Sequence, residues 1–340
     1  MVKISKLYLL FALPIFCVQT TGCKNSQPKQ ESTTPQPASE VTVKKTAPDF
    51  NADSAYTFIE KQVSFGPRIP GTPAQTSCAN WLTQKMKSFT PDVIVQDVQV
   101  ALYLQKNVAC KNIIGSFNPQ AKKRILLCAH WDTRPWSDRD KTEPKKPFDG
   151  ADDGGSGVAV LLEIARQLKT DQPDVGIDIA FFDVEDYGPP AWESRQEDQN
   201  SYCLGTQEWA NHPHVPNYRA YYGILLDMVG AKNATFLQEG LSLEYAPSIV
   251  KKVWDTGNAL GYGNYFSYTK VNGITDDHTF VNSLNQTPCI DIISLDKTSG
   301  TGFPAHWHTQ QDNMNIIDKN TLKAVGQTLL QVIYSEGPDV

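Results

Sequence analysis

Short hydrophobic runs alternate with longer amphipathic stretches along most of this chain. The short runs are rich in β-branched and aromatic residues and predict strands at 92–103, 110–116, 124–130, 176–183, 220–228, 234–237 and 288–294. The longer stretches repeat their hydrophobic positions with helical spacing and predict helices at 51–63, 72–88, 154–169, 203–211, 243–260, 276–284 and 319–335. The pattern is therefore that of a mixed α/β protein.

The hydrophobic runs also indicate how these elements are layered. Runs such as 125–129 and 177–182 are almost entirely hydrophobic, which suits central strands covered on both faces. Strands that alternate with helices predict an α/β/α sandwich around a central, mostly parallel mixed sheet. Neither an internal repeat nor a second linker follows Asp49, so residues 49–340 are predicted to form a single domain. In such sheets, sites form beyond the carboxyl ends of the strands.

The N-terminus has the pattern of an export signal. Lys3 and Lys6 precede a hydrophobic run at 7–18, which is too short for a comfortable membrane span. The run ends at Gln19-Thr-Thr-Gly-Cys23, which resembles a bacterial lipobox. We predict a signal peptide at 1–22 and a lipid on Cys23; the alternative is ordinary cleavage with an incidental cysteine. Either way we expect export. With a lipid on Cys23, the protein would be a periplasmic, membrane-anchored lipoprotein of a Gram-negative bacterium.

Composition and charge indicate a tether before the domain and exclude one class of partner. Residues 24–48 are polar and rich in Lys, Gln, Ser, Thr and Pro, so 23–48 is predicted to be a lipidated cysteine and a flexible tether. The formal net charge of -6 argues against a nucleic-acid surface. Five cysteines remain in the domain, and their pairing is not readable from sequence. Cys128 and Cys289 lie in hydrophobic runs and are predicted to be core residues.

Polar residues that suit a metal follow several predicted strands. His130, the pair Glu185-Asp186, and Asp227 each stand at the end of a hydrophobic run, so one edge of the sheet would bring them together. Imidazole and carboxylate groups are the ligands that zinc takes in catalytic sites. Because adjacent side chains at a strand end point in different directions, one carboxylate of the pair can bind metal while the other moves protons.

Each of these residues also has a plainer interpretation. His130 is either a ligand, with Asp132 as the acceptor that orients its ring, or a buried, hydrogen-bonded histidine. Asp153 lies in a glycine-rich run, 150–157, that opens a helix, where an aspartate is usually an N-cap. Asp227 lies within a hydrophobic run and needs a metal, hydrogen bonds or a proton. The run 276–278, Asp-Asp-His, is either an N-cap cluster or a partner for Asp227.

Six short motifs follow one another along the chain. They are His130-x-Asp132, Gly150-Ala-x-Asp153, Phe181-Phe-Asp-x-Glu-Asp186, Leu225-Leu-Asp-x-Val-Gly-Ala231, Asp276-Asp-His278 and Trp307-His-Thr309. Taken together, over roughly residues 50–335, they resemble the M28 family of zinc aminopeptidases and its offshoot, the animal-type glutaminyl cyclases. The resemblance implies a zinc aminopeptidase-like fold and a zinc centre.

Within that resemblance two metal counts are open. The general M28 aminopeptidase holds two zinc ions, on positions that match His130, Asp153, Asp186, Asp227 and His308. The cyclases retain one, on the positions that match Asp153, Asp186 and His308. In them the residue that matches Asp227 hydrogen-bonds the one that matches Asp276.

Three segments, 226–236, 273–278 and 303–309, resemble the cyclases closely. The resemblance implies a small pocket for a Gln side chain, formed by Trp192, Ile274, Thr275, Phe303 and Trp307. For Trp192 the alternative is ordinary core packing. The chain departs from the animal cyclases where Asp186 replaces Glu, Asp291 replaces a His, and Thr275 replaces a Gln whose main-chain N–H meets the substrate.

The sequence therefore predicts an exported, zinc-dependent glutaminyl-peptide cyclotransferase with one zinc per chain, acting on peptides and proteins that begin with Gln. The resemblance implies that Glu185 is the proton shuttle and that Asp227 and Asp276 share a proton. The first alternative is a two-zinc aminopeptidase in which Glu185 activates a bridging water. The second is a non-catalytic binding lipoprotein that has kept the scaffold.

Overall fold

The computed structural model describes residues 45–104, 106–193 and 199–338. The predicted signal peptide, Cys23 and nearly all of the tether lie outside these ranges. Within them, no helix combines the length and the hydrophobicity needed to span a membrane. The elements are, in chain order, α1 (Ala52–Val63), α2 (Pro73–Lys87), β1 (Val93–Ala101), β2 (Asn107–Phe117), β3 (Arg124–His130), α3 (Gly155–Leu168), β4 (Gly176–Phe182), α4 (Leu204–Asn211), β5 (Tyr222–Asp227), β6 (Phe236–Gln238), α5 (Gly240–Tyr245), α6 (Pro247–Ala259), β7 (Phe266–Lys270), α7 (Asp277–Phe280), β8 (Cys289–Ile293) and α8 (Lys319–Tyr334).

The main sheet has six strands in the order β1-β2-β4-β3-β5-β8. The β1–β2 and β2–β4 pairs are antiparallel, whereas β4–β3, β3–β5 and β5–β8 are parallel. The predicted mostly parallel mixed sheet is therefore confirmed. The parallel strands all end at one edge, and this edge receives the residues that the sequence placed at strand ends.

The sequence missed one strand and misjudged two helices. β7 pairs with β6 in a separate two-stranded sheet, and its polar alternating residues carried too weak a pattern to predict it. The helix predicted at 243–260 is two helices, α5 and α6, because Pro247 disfavours the helical conformation at Ala246, where φ is -142°. The helix predicted at 276–284 is a short α7 that continues as one π-helical turn, 281–285.

The central strands are covered on both faces, as predicted. In β3, Ile125 and Leu127 face the core built with α1, α2, α3, α6 and α8, whereas Leu126 and Cys128 face a second core with Trp209 of α4. Cys128 and Cys289 are both buried core residues, which confirms their prediction. The five cysteines of the described domain are all free thiols.

Backbone strain is concentrated at the edge where the parallel strands end. Val184 after β4 and Met228 after β5 have φ values of 54° and 47°, a region that side chains rarely adopt. Cys203 and His308, on loops that cover the same edge, have φ values of 55° and 54°. Since strained residues persist only where the surrounding structure holds them, they mark this edge as the functional one.

Candidate active site

Three of the predicted metal ligands converge at this edge. His308 Nε2 lies 3.3 Å from Asp186 Oδ2 and 3.7 Å from Asp153 Oδ2, and all three side chains are buried. Ligand atoms held tetrahedrally by one zinc at its usual bond lengths lie roughly 3.3 Å apart. Asp186 Oδ2 is buried and has no hydrogen-bond partner among the described residues. The three residues therefore fit a single zinc ion.

Asp153 reaches this site because it does not cap the helix that follows it. The N-cap of α3 is Gly154, whose φ is 80° and which makes no side-chain cap. A Cβ at Gly154 would lie 2.5 Å from the carbonyl oxygen of Asp132, so only glycine lets the chain turn here. The N-cap interpretation of Asp153 is therefore wrong, and its carboxylate is free to face two histidines.

His130 is the second histidine that faces Asp153. Its Nε2 lies 3.1 Å from Asp153 Oδ1 and 3.2 Å from Asp227 Oδ1. Burial by itself would lower the pKa of His130, but the surrounding carboxylates of Asp132, Asp153 and Asp227 outweigh it and raise that pKa well above its usual value. All five residues that match the two-zinc M28 ligands thus lie together, because Asp153 belongs both to the group with His130 and Asp227 and to the group with Asp186 and His308.

Asp132 lies beside His130, as predicted, and has a further role. Its Oδ1 is 3.5 Å from His130 Nδ1 and helps to raise the pKa of that ring, while the orientation of the ring by Asp132 stays a prediction. The Asp132 carboxylate also accepts the backbone N–H groups of Glu185 at 2.9 Å and Asp186 at 3.2 Å. Asp132 therefore fixes the backbone that carries both acidic residues, a role that sequence reasoning missed.

Glu185 is held beside the ligand group. Its Oε1 lies 3.3 Å from the thiol of Cys203, which acts as the donor, and its backbone oxygen accepts the Cys203 N–H at 2.8 Å. Burial, and then the neighbouring Asp186 carboxylate, raise the pKa of Glu185 well above its usual range. A carboxyl group perturbed in this way is suited to accept and return a proton. Sequence reasoning missed Cys203, because it is distant in the chain and carries no motif.

Behind Glu185 lies a group of buried carboxyls. Asp276 is the N-cap of α7 and forms a capping box with Thr279, so the N-cap interpretation is confirmed. The Asp276 carboxylate also influences Asp227, whose pKa is raised well above its usual value, first by burial. Asp291 is a third buried carboxyl in this group: burial, and then the Asp276 and Asp227 carboxylates, raise its pKa well above its usual range. The shared proton between Asp227 and Asp276 stays a prediction.

Two neighbouring cavities that share several lining residues lie beside the ligand group. The inner one, of about 90 Å³, is lined by Glu185, Asp227 and Asp276 and by the metal-ligand candidates. The outer one has a volume of about 370 Å³. Both are lined by four of the five residues predicted to bind substrate: Ile274, Thr275, Phe303 and Trp307. The Trp307 ring stacks on the His308 imidazole, with ring centroids 3.9 Å apart, and Phe303 stacks on Trp307 at 4.3 Å.

Trp192 differs from the other predicted pocket residues. Its side chain is 46% exposed, and its ring packs against Trp136 with centroids 5.9 Å apart. Its neighbours Ala191 and Glu193 line the outer cavity, but among the described residues Trp192 lines neither cavity. The alternative that Trp192 packs in the core is also wrong, because nearly half of its side chain is exposed. Trp192 therefore belongs to the surface beside the outer cavity.

Two charged residues next to the ligands were not predicted. Arg134 donates to Asp186 Oδ1 at 2.9 Å, and Asp138 Oδ1 lies 3.0 Å from His308 Nδ1. Burial by itself would lower the pKa of His308, but the Asp186 carboxylate is the largest opposing influence and the pKa rises to about 9. Zinc requires a neutral imidazole, so its binding would displace a proton from this ring.

Comparison with known proteins places these features in a family. The sequence profile of peptidase family M28 matches residues 112–333. A Bos taurus protein named glutaminyl-peptide cyclotransferase is 26% identical over 304 residues, with 79% of this chain and 78% of that protein covered. A Gloydius blomhoffii protein of the same name is 25% identical over 297 residues, covering 79% of this chain and 77% of that protein.

Solved structures are more similar still. The glutaminyl cyclase of Bacteroides thetaiotaomicron is 50% identical with a TM-score of 0.84, covering 86% of this chain and 100% of that one. A structure described as a Zn-dependent exopeptidase from Parabacteroides distasonis is 53% identical with the same TM-score of 0.84 and the same coverage. These likenesses confirm the predicted zinc aminopeptidase-like fold. The profile match spans well over half of the sequence, and the chain therefore belongs to peptidase family M28, a family of zinc-dependent enzymes.

Proposed function

We propose that this protein is a zinc-dependent glutaminyl-peptide cyclotransferase that converts an N-terminal Gln of peptides and proteins into pyroglutamate and releases ammonia. The observation that carries the proposal is the placement of the Glu185 carboxyl beside a three-residue zinc site, at the base of a small cavity walled by aromatic rings. The likeness to glutaminyl cyclases at half identity supports the same activity.

Asp153, Asp186 and His308 would hold the zinc. When bound, it would supply the Lewis acidity that polarises the γ-carbonyl of Gln. We propose a single zinc per chain. The close resemblance of segments 226–236 and 303–309 to the one-zinc cyclases supports this count.

The reaction needs one proton to move from one nitrogen to another. The α-amine attacks the γ-carbonyl carbon, a C–N bond forms within the substrate, and the bond to the amide nitrogen breaks. Glu185 would take the proton from the attacking amine and deliver it to the leaving nitrogen, which departs as ammonia. Asp227 and Asp276 line the same inner cavity and would orient the α-amino group toward Glu185. Because both reacting groups belong to one residue, holding it in a cyclic conformation supplies much of the rate.

The cavity walls suit a small neutral side chain. Phe303 and Trp307 form a stacked aromatic wall that continues onto the His308 ring, and Ile274 and Thr275 line the cavity with them. Compact pockets of this kind bind by apolar contact and use a few polar groups for orientation. We propose these four residues as the Gln-binding wall, with Trp192 outside it.

One observation favours a second candidate function. The five residues that match the two-zinc M28 ligands all converge, and one of the most similar solved structures is described as an exopeptidase. The alternative is therefore a two-zinc aminopeptidase that releases the first residue of a peptide. The two functions give different products from the same substrate.

A Gln-initiated peptide incubated with the purified protein is expected to lose one ammonia and keep all of its residues. Mass spectrometry of the peptide measures this directly. A matched peptide that begins with Leu is expected to stay unchanged, because its side chain offers no carbonyl for the α-amine to attack. Release of the first residue from either peptide would instead support the aminopeptidase.

We also propose that the protein is exported to the periplasm of a Gram-negative bacterium and anchored in a membrane by a lipid on Cys23. The support is the lysine-flanked hydrophobic run, the lipobox-like Gln19-Thr-Thr-Gly-Cys23 and the polar tether that follows it. Cys23→Ser in full-length protein is expected to move it from the membrane fraction to the soluble periplasmic fraction. Unchanged membrane association of the variant would count against the lipid anchor.

A further inference from the structure

A buried ion pair joins two of the proposed zinc ligands from behind. Arg134 and Asp138 side chains are 1% and 3% exposed, and the guanidinium donates to both carboxylate oxygens of Asp138, at 3.1 Å and 2.8 Å. Arg134 Nη1 also donates to Asp186 Oδ1 at 2.9 Å, and Asp138 Oδ1 lies 3.0 Å from His308 Nδ1. The result is one continuous chain of contacts, Asp186–Arg134–Asp138–His308.

For Asp186 the contact decides which oxygen is available. Arg134 occupies Oδ1, whereas Oδ2 is buried, has no hydrogen-bond partner in the described structure, and lies 3.3 Å from His308 Nε2. The carboxylate can therefore offer one oxygen to a metal and not both. Arg134 also donates to the backbone oxygens of Asp186 at 3.3 Å and Pro189 at 3.0 Å, so the whole loop is held with the side chain.

For His308 the contact decides which nitrogen of the neutral ring carries the proton. In the neutral imidazole, a carboxylate at Nδ1 favours the tautomer with N–H at that position and leaves the lone pair of Nε2 facing Asp153 and Asp186. Asp138 is itself held in place, since its Oδ2 accepts the N–H of Ala191 at 2.9 Å. The backbone of His308 is held in a strained conformation, with φ at 54°, and its ring is held at Nδ1 by Asp138.

We infer that Arg134 and Asp138 are positioning residues for zinc: together they fix Asp186 as a one-oxygen ligand and His308 as an Nε2 ligand before the metal arrives. The inference rests on the zinc site of the proposed function but not on the cyclisation chemistry. Partners that orient metal ligands typically change metal affinity by about 10–100-fold when they are removed. Neither residue is expected to touch the zinc.

The test is zinc affinity, measured by competition with a chromophoric chelator on the folded, metal-free protein. Asp138→Asn keeps the shape of the side chain but removes the charge that holds the His308 tautomer, so we expect zinc affinity to fall about 10–100-fold. Arg134→Lys keeps the charge but cannot bridge Asp138 and Asp186 together, and we expect a loss of the same order. Circular dichroism of each variant checks that it is folded.

The chain offers a matched control at the opposite end of β3. Arg124 and Asp178 form a comparable pair, in which Nε and Nη2 each donate to a carboxylate oxygen at 2.7 Å. Asp178→Asn removes the same kind of charge from a similar pair far from the zinc site, and zinc affinity is expected to stay unchanged.

Two results would overturn the inference. One is wild-type zinc affinity in folded Asp138→Asn or folded Arg134→Lys protein. The other is an equal loss of affinity in Asp178→Asn, which would show that general destabilisation is the cause. If affinity falls as expected but no Gln-initiated peptide is cyclised, the positioning role stands and the proposed function alone fails.

Discussion

Glu185→Gln is expected to lower kcat on a Gln-initiated peptide by about 10²–10⁴-fold, the usual contribution of a general acid–base group. Gln has the same shape but cannot take the proton from the attacking amine. The thiol of Cys203, 3.3 Å from Oε1, can still donate to the amide oxygen, so the side chain should stay in place. The loss would then reflect proton transfer and not a displaced residue.

The measurement is kcat and KM for the variant beside its zinc content. Zinc content and KM are expected to change little, because Glu185 belongs to neither three-residue group that shares Asp153. Glu143→Gln is a suitable control, since Glu143 is an exposed residue paired with Lys146. If Glu185→Gln kept wild-type kcat, the proton-shuttle role would be rejected, and the non-catalytic binding alternative would gain support.

His308→Ala is expected to abolish both zinc binding and cyclase activity. The substitution removes the only nitrogen from the Asp153, Asp186 and His308 group and leaves two carboxylates as the remaining zinc ligands of that group. It also removes the ring on which Trp307 stacks, so one wall of the pocket is lost with the ligand. Elemental analysis of the purified protein gives the metal content, and the peptide assay gives the activity.

The wild-type protein in that experiment is expected to contain a single zinc per chain. Removal of the metal with a chelator should abolish activity, and added zinc should restore it in the wild type but not in His308→Ala. His214→Ala is the control, since His214 accepts a hydrogen bond from Trp209 and lies in another part of the fold. Two tightly bound zinc ions, one of them lost in His130→Ala, would contradict the proposed count and favour the aminopeptidase.

Most of the fold was predictable because its signals are local. The strands β3, β4 and β5 are short hydrophobic runs, and they were predicted correctly without knowing which strands they pair with. β7 was missed because it is short and polar and becomes a strand only by pairing with β6. The break at Ala246 had a local signal, Pro247, that the helical spacing outweighed in the prediction.

Less of the site than of the fold was predictable from the sequence. The ligand candidates could be named because each follows a recognisable strand or lies in a motif, and the structure brings them together. Their partners could not be named in the same way. Asp132 was assigned to His130, two residues away, but the sequence did not show that it also accepts backbone N–H groups of a loop more than fifty residues later in the chain. Trp192 was assigned to the pocket by the resemblance to the cyclases, yet its side chain is largely exposed.

By itself, the sequence determined the order of the strands and helices, the edge where the site would form, and the residue types that give that edge its zinc and proton chemistry. Only the tertiary structure decided which atoms face one another: Asp138 with His308, which is 170 residues away, and Cys203 with Glu185. The physical reason is that helix and strand formation follows from periodicity in neighbouring residues. A buried charge, in contrast, is satisfied by whichever partner the fold brings within about 3 Å, however distant it is in the chain.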